Sequence, residues 1–253
     1  MQISATIVTL NEERNIARAI ESLRCADEVL VVDSGSTDQT CEIAIRLGAR
    51  VIEEPWRGYA GQKNFAAEAA ENDWILSIDA DESVTEELAA EILALKKDGV
   101  RFDGYAFPRL AQYLGRWIRH SGWYPDRKVR LYDRGKAEWV GEYVHESVRV
   151  NGTTGQLGVG QLHGNLLHYT CASLSEHLRT LDRYTSLAAR ELMARKKAIP
   201  MRRLTVDPAW TFFRTYVLQR GFLDGRQGLA IAWMAALYTF LKYAKACENP
   251  SSR

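Results

Sequence analysis

The residues best placed to do chemistry are Asp79 and Asp81, which close the apolar run Trp74-Ile75-Leu76-Ser77-Ile78. In a strand, residues i and i+2 point to the same side. At the fraying carboxyl end of such a strand, both carboxylates can aim into the crevice where open α/β sheets bind ligands. Hard oxygen donors there suit Mg²⁺ or Mn²⁺, ions commonly shared between carboxylates and the phosphates of a substrate. Taken alone the pair has a plainer reading, because helix N-termini favour acidic residues and Asp81 to Glu87 open a helical stretch. Two further strand ends deliver polar groups to the same edge. Asp33 leads into Ser34-Gly35-Ser36-Thr37-Asp38, a small-residue loop offering Thr37 or Asp38 as the next N-cap, and an earlier strand ends in Thr9, Leu10 and Asn11.

Bringing these groups together requires a parallel sheet. From residue 3 to 108, short β-branched runs alternate with helical periods, the signature of α/β architecture, with strands expected at 3–8, 28–33, 49–54, 73–79 and 103–108. Between them Ile16, Ile20 and Leu23 recur at helical spacing, as do Ile43, Ala44 and Leu47, and then Leu88, Ile92 and Leu95, so each crossover has an apolar face for the sheet. Residues 109–170 change to aromatic, Gly-punctuated segments such as KVRLYDRG and VHESVRVNG, which read as an antiparallel extension. From Ser173 onward helix returns, and after Pro200 and Pro208 two apolar segments flank RGFLDGRQG.

The segments TIVTLNEERNI, VLVVDSGSTDQT and ILSIDADE, in that order and spacing, resemble the three donor motifs of family 2 glycosyltransferases with the GT-A fold. The resemblance implies that Thr9, Glu12 and Asp33 line a nucleoside pocket, that Asp79 contacts ribose or metal, and that Asp81 ligates a divalent cation. It also matches Lys63 and Asn64, in GYAGQKNFA, to a basic and amide pair beside the base and phosphates. KVRLYDRG, YVHESV and RGFLDGRQG extend the similarity to lipopolysaccharide-core β-glucosyltransferases over most of the chain. The expected organisation is a catalytic domain over 1–170, divided into a nucleotide-sugar half (1–108) and an acceptor half (109–170), then a helical appendage over 171–253.

An inverting transfer needs a base for the acceptor proton, and a carboxylate is the expected choice. GEYVHE offers Glu142 and Glu146, which share a face of an extended segment while His145 opposes them. Glu146 is the favoured base and Glu142 the alternative; a solvated surface strand is the plainer reading of both. Many relatives place the base in an adjacent Glu-Asp pair, which this chain lacks. His168, in LLHYT, is a candidate third metal ligand or a hydrogen-bonded structural residue. Among Arg127, Lys128 and Arg130, the last sits inside an apolar stretch, and its planar fork suits a diphosphate or an acceptor phosphate.

Composition bounds these readings. With 253 residues and 46% apolar content the chain can bury a full core. Cys25, Cys41, Cys171 and Cys247 make no metal-finger spacing and read as plain thiols of a reducing compartment. MQISATIVTLNEE lacks the basic and long apolar regions of a secretory signal, and the uncharged stretch Gly228 to Leu241 is shorter than a membrane span, so a cytoplasmic protein is expected. The net charge of +1 hides halves of −11 over residues 1–100 and +12 over 101–253, which points the second half toward an anionic partner. Arg190, Arg195, Lys196, Lys197, Arg202 and Arg203 precede Trp210, Phe212, Phe213 and Tyr216, as suits an interfacial helix on an anionic bilayer. Packing on the core or on a second copy of the chain is the competing reading, and no nucleic-acid module is recognised. The expected partners are therefore a nucleotide-diphosphate sugar, a glycolipid or oligosaccharide acceptor and a membrane surface. Two rivals stand against a transferase. A sugar-phosphate nucleotidyltransferase would carry a Gly-rich phosphate loop where this chain has TLNEERN; a non-catalytic binding module would not need Asp79, Asp81 and Glu146 intact.

Overall fold

A computed structural model describes residues 1–141, 146–154, 158–194 and 199–248. Glu142 and His145 of the sequence reading, with Arg195, Lys196 and Lys197, lie outside the described residues. In chain order the elements are β1 (Ile3–Thr9), α1 (Ile16–Glu21), β2 (Glu28–Asp33), α2 (Thr40–Arg46), β3 (Arg50–Glu53), α3 (Tyr59–Ala69), β4 (Trp74–Asp79), β5 (Glu82–Val84) and α4 (Glu86–Asp98). There follow β6 (Gly104–Tyr113), β7 (Arg116–Trp117), β8 (Asp126–Asp133), β9 (Ala137–Val140), β10 (Ser147–Val150), β11 (Thr153–Thr154), β12 (Gly160–Gln161) and β13 (Leu166–Cys171). Helices α5 (Leu174–Ala194), α6 (Arg202–Phe213) and α7 (Gly225–Glu248) complete the chain, with a π-helix at Arg214–Leu218 and a 3₁₀ turn at Gly221–Asp224.

The chain divides into two compact units, Met1–Arg109 with Asp126–His168, and Leu110–Pro125 with Tyr169–Arg253. In the first, β3, β2, β1 and β4 are parallel neighbours in that order. β8 then pairs antiparallel with β4 and with β6, and β9, β10 and β11 form a separate antiparallel sheet. Strand alternation sends Ile3, Ala5, Ile7, Leu76 and Ile78 to one face, where Ile16, Ile20, Leu88 and Ile92 of the helices cover them. Leu30, Val32 and Ile75 face the other way, against Ala66 and Ala67 of α3 and Tyr132, Trp139 and Val148.

Three expectations are corrected. The strand expected at 103–108 in the parallel core is β6, which pairs antiparallel with β8 and runs on to Tyr113. The N-cap of α2 is Gln39, without a side-chain bond, rather than Thr37 or Asp38, and Asp38 instead accepts the Thr40 N–H at 3.0 Å. Glu82–Val84 is a strand, not the opening of a helix, because it pairs with Leu166–His168 of β13. Helix α4 begins only after Thr85, whose hydroxyl accepts from the Leu88 N–H, with Glu86 and Glu87 in its first turn and Lys96 and Lys97 in its last.

In the second unit, Tyr113, Ile118 and Ile231 are fully buried together and are packed by Trp123, Cys171 and Ala230. Helix α7 lies against α5 and α6, and Lys245 donates to Asp182 at 2.6 Å and to Thr185 at 2.8 Å. Among the described residues no helix is long and apolar enough to cross a membrane.

Candidate active site

The site grows from the carboxyl edge of the parallel strands in the first unit. Strand β1 sits between β2 and β4, with Thr9 in register with Asp33 and Val8 with Asp79. Strand order reverses here, the place where open α/β sheets leave a crevice. Thr9 donates to Asp33 Oδ1 at 2.8 Å, and the Gly35 and Ser36 N–H groups donate to Oδ2 at 2.9 and 2.7 Å. Gly35, at φ +95°, supplies the turn that points both N–H groups inward. Burial alone would raise the Asp33 carboxyl, but these donors outweigh it and hold it below the usual carboxylate range. Asn11 accepts from the Thr37 N–H at 2.9 Å and the Glu12 N–H donates to Thr40 at 2.8 Å, so the loops after β1 and β2 form one ledge.

Asp79 is the centre of a second cluster. Its Oδ1 lies 2.8 Å from Lys63 Nζ and its Oδ2 accepts from Arg130 Nη2 at 2.8 Å. Lys63 Nζ also donates to Glu146 Oε1 at 3.2 Å, so one ammonium joins the strand-end aspartate to the expected base. Helix α3 makes this possible: Lys63, Ala66 and Ala67 share its buried face, which carries the ammonium beneath the edge of the sheet. Arg130 bonds Glu82 at 3.0 Å, and both are almost wholly buried. Its Nε and Nη1 meet no acceptor among the described residues. The Trp139 ring lies 4.3 Å from Lys63 Nζ and 5.3 Å from the Arg130 guanidinium, a cation–π platform fixed by a Trp139 Nε1 bond to Tyr132 at 2.9 Å. Burial pushes Asp79 upward, yet Arg130 and Lys63 hold it far below the carboxylate range; Arg130 in turn is raised by Asp79 and Glu82 against its own desolvation. Asp79, Arg130, Trp139 and Glu146, with Arg109, Arg127 and Lys128, line a cavity of about 300 Å³.

Asp81 faces away from this cluster and toward β13, where its Oδ2 lies 3.2 Å from His168 Nε2. Among the described residues no three of His, Cys, Asp and Glu come together as a metal cluster. The Asp81 carboxylate suits Mg²⁺ or Mn²⁺ when phosphate and water complete the shell, and the His168 imidazole beside it suits Mn²⁺ better than Mg²⁺.

A model of glycosyl transferase family 2 matches residues 4–149, the segment that holds all three strand ends and Glu146. The chain belongs to glycosyl transferase family 2. This glycosyltransferase is 35% identical to an uncharacterized glycosyltransferase of Rickettsia typhi, over 98% of this chain and 87% of that one. It is 34% identical to the lipopolysaccharide core biosynthesis glycosyltransferase LpsC of Rhizobium meliloti, over 98% of this chain and 93% of the relative. It shares the GT-A fold with the mannosyltransferase PcManGT of Pyrobaculum calidifontis, solved with GDP-Man and Mn²⁺: TM-score 0.55, 14% identity, 97% of this chain and 87% of that one.

The transferase thus brings the residues singled out from sequence into three groups: Thr9, Glu12 and Asp33 at the ledge; Glu146, Lys63, Asp79 and Arg130 linked in one chain of ion pairs; and Asp81 with His168. Asn64 is turned elsewhere. It donates to the Trp139 carbonyl at 2.9 Å and accepts the Trp139 N–H at 2.8 Å, which locks the indole in place. Sequence reasoning missed Glu82 and Trp139. The only signal for Glu82 was a third acidic residue in DADE that β-pairing with His168 buries, and for Trp139 an aromatic just upstream of the GEYVHE segment.

Proposed function

We propose that this glycosyltransferase moves a hexose, with glucose from UDP-glucose as the leading donor, onto a lipopolysaccharide-core or related glycolipid or polysaccharide acceptor, with inversion. The observation that carries the reading is the chain Glu146–Lys63–Asp79, with spacings of 3.2 and 2.8 Å, which sets a carboxylate beside the strand-end aspartate of the donor motif. Glu146 accepts the proton of the acceptor hydroxyl while that oxygen bonds to the anomeric carbon; the bond from this carbon to the diphosphate breaks, and its electron pair leaves with the nucleoside diphosphate. Lys63 and Arg130, held by Asp79, supply positive charge for the leaving group, and Trp139 keeps both cations in place. The ledge of Thr9, Glu12 and Asp33 is assigned to the nucleoside. A divalent cation, Mg²⁺ or Mn²⁺, would be held by Asp81 and His168 and would offset charge on the diphosphate. Asp79 already neutralises Lys63 and Arg130, which leaves it less charge to offer a cation than Asp81 has.

The length of the match to LpsC supports the acceptor class. A peripheral position on the inner face of the cell membrane is supported by Val206, Trp210, Phe213 and Val217, which recur at helical spacing and are 61%, 53%, 44% and 42% exposed. Residues 199–248 carry seven Lys/Arg against three Asp/Glu. Of those three, Asp207 is paired with Arg203 and Asp224 is buried. A cationic, apolar face of this kind fits anionic headgroups.

Thermal-shift titration with UDP- and GDP-sugars, with and without Mn²⁺, tests the reading, because a ligand of the native state raises apparent stability. UDP-glucose should stabilise the protein only with the cation. No stabilisation by any nucleotide sugar would overturn the donor assignment.

A further inference from the structure

Beyond the transfer reaction, the second unit contains an open cavity of about 510 Å³ between its helices and the end of β13, within the size range of small-molecule sites. Leu181, Ile231, Met234 and Ala235 give it apolar walls, and Tyr184 and Tyr238 add aromatic ones. Polar groups are few: threonine hydroxyls, with Thr211 and Thr239 already 3.3 Å apart, and the His177 imidazole, bonded at 2.8 Å to the Tyr113 hydroxyl. Charge is one-sided. Lys242 and Arg214 line the cavity, and among the described residues no aspartate or glutamate does.

The two cations are uncommitted in a way their neighbours are not. Lys245 pairs with Asp182 and Arg203 with Asp207, whereas neither Lys242 nor Arg214 has a carboxylate within ion-pair distance among the described residues. Lys242 instead rests its ammonium 4.9 Å from the Tyr243 ring and 5.5 Å from the Tyr238 ring. Burial, and then Arg203 nearby, disfavour its charged form and outweigh the weaker pull of Asp207, so an anion on Lys242 would offset the desolvation. Arg214 opens the π-helix at the rim, a distortion of helical geometry often found at functional positions.

We propose that this cavity binds a single-chain amphiphile with an anionic head, its chain among Leu181, Ile231, Met234 and Ala235 and its phosphate or carboxylate on Lys242. The exposed Trp233, on the same helix but outside the cavity lining, takes no part.

The test uses the full chain and dansyl-undecanoic acid, whose emission rises on entering an apolar pocket. Saturable binding at one site is expected, with displacement by dodecyl phosphate but not by inorganic phosphate or dodecyl maltoside. Lys242→Gln should weaken binding about tenfold, as the loss of a charge-assisted hydrogen bond does. Ala235→Trp, which fills the cavity, should abolish binding; Trp233→Ser should leave it unchanged. Non-saturable binding, or binding untouched by both Lys242→Gln and Ala235→Trp, overturns the proposal. Equal displacement by dodecyl maltoside overturns the anionic head, and displacement by phosphate alone overturns the chain. If Ala235→Trp fails to fold, Lys242→Gln and the competitors still decide. Light scattering that finds a dimer which the probe cannot enter assigns the groove to a second copy of the chain and likewise overturns the proposal.

Discussion

Asp79 and Asp81 stand two residues apart and meet different company. Asp79 is neutralised by Lys63 and Arg130, while among the described residues Asp81 meets His168 as its ion-pair partner. A cation that depends on this edge therefore depends most on Asp81. Asp81→Asn, which keeps the shape and removes the charge, should lose Mn²⁺-dependent UDP binding in calorimetry. Unchanged Mn²⁺ and UDP affinity would remove Asp81 from the site. Glu146→Gln keeps the size but cannot take a proton, so single-turnover transfer should fall by about 10² to 10⁴ while donor binding persists. Glu142→Gln is the control: if it abolishes transfer and Glu146→Gln does not, the base lies four residues upstream.

At the scale of elements, α5 carries a titrating group whose sign can be worked out. His177 is half-buried on this helix, and burial lowers its pKa from the ordinary 6.5. The folded state then binds fewer protons than the unfolded one between the lowered value and 6.5, so this group's contribution is complete above 6.5 and declines as pH falls below it. The melting temperature should drop between about pH 7.5 and 5.5, and His177→Gln should flatten that drop. Identical slopes in the two proteins would show that His177 pays no such penalty. Element spacing also sets the reach of the Asp79 cluster: Lys63 and Asn64 are adjacent on α3, yet one meets Asp79 and the other the Trp139 backbone, because successive helical residues face different neighbours.

For the whole molecule, charge is divided between an acidic first hundred residues and a basic remainder. Acidic residues gather at the strand ends and helix starts, whereas the exposed arginines of 199–248 accompany Trp210, Phe213 and Val217. Co-sedimentation with anionic liposomes should be strong at low salt and weaken as salt screens exposed charge. Trp210→Ser should reduce it at every salt concentration, since it removes apolar burial rather than charge. Equal binding to neutral liposomes, or binding to neither, would count against a membrane face.

The sequence alone determined the four parallel strands β1 to β4 and their shared carboxyl edge, but not that β6, expected as a fifth, joins through the antiparallel β8. Period-2 and period-3.6 patterns are local, and Asp33, Asp79 and Asp81 announce themselves at strand ends. It also determined family membership, since three short motifs in fixed order are a one-dimensional signal. The short strand Glu82–Val84 and helix α3 escaped it: the first is made by pairing with residues about 80 positions away, and the second has an apolar face of alanines too weak to stand out. Only the tertiary structure decided which charges meet. That Lys63 joins Asp79 to Glu146, that Arg130 is buried against Glu82, and that Asn64 serves Trp139 depend on contacts between residues 16 to 83 positions apart, which no local pattern encodes.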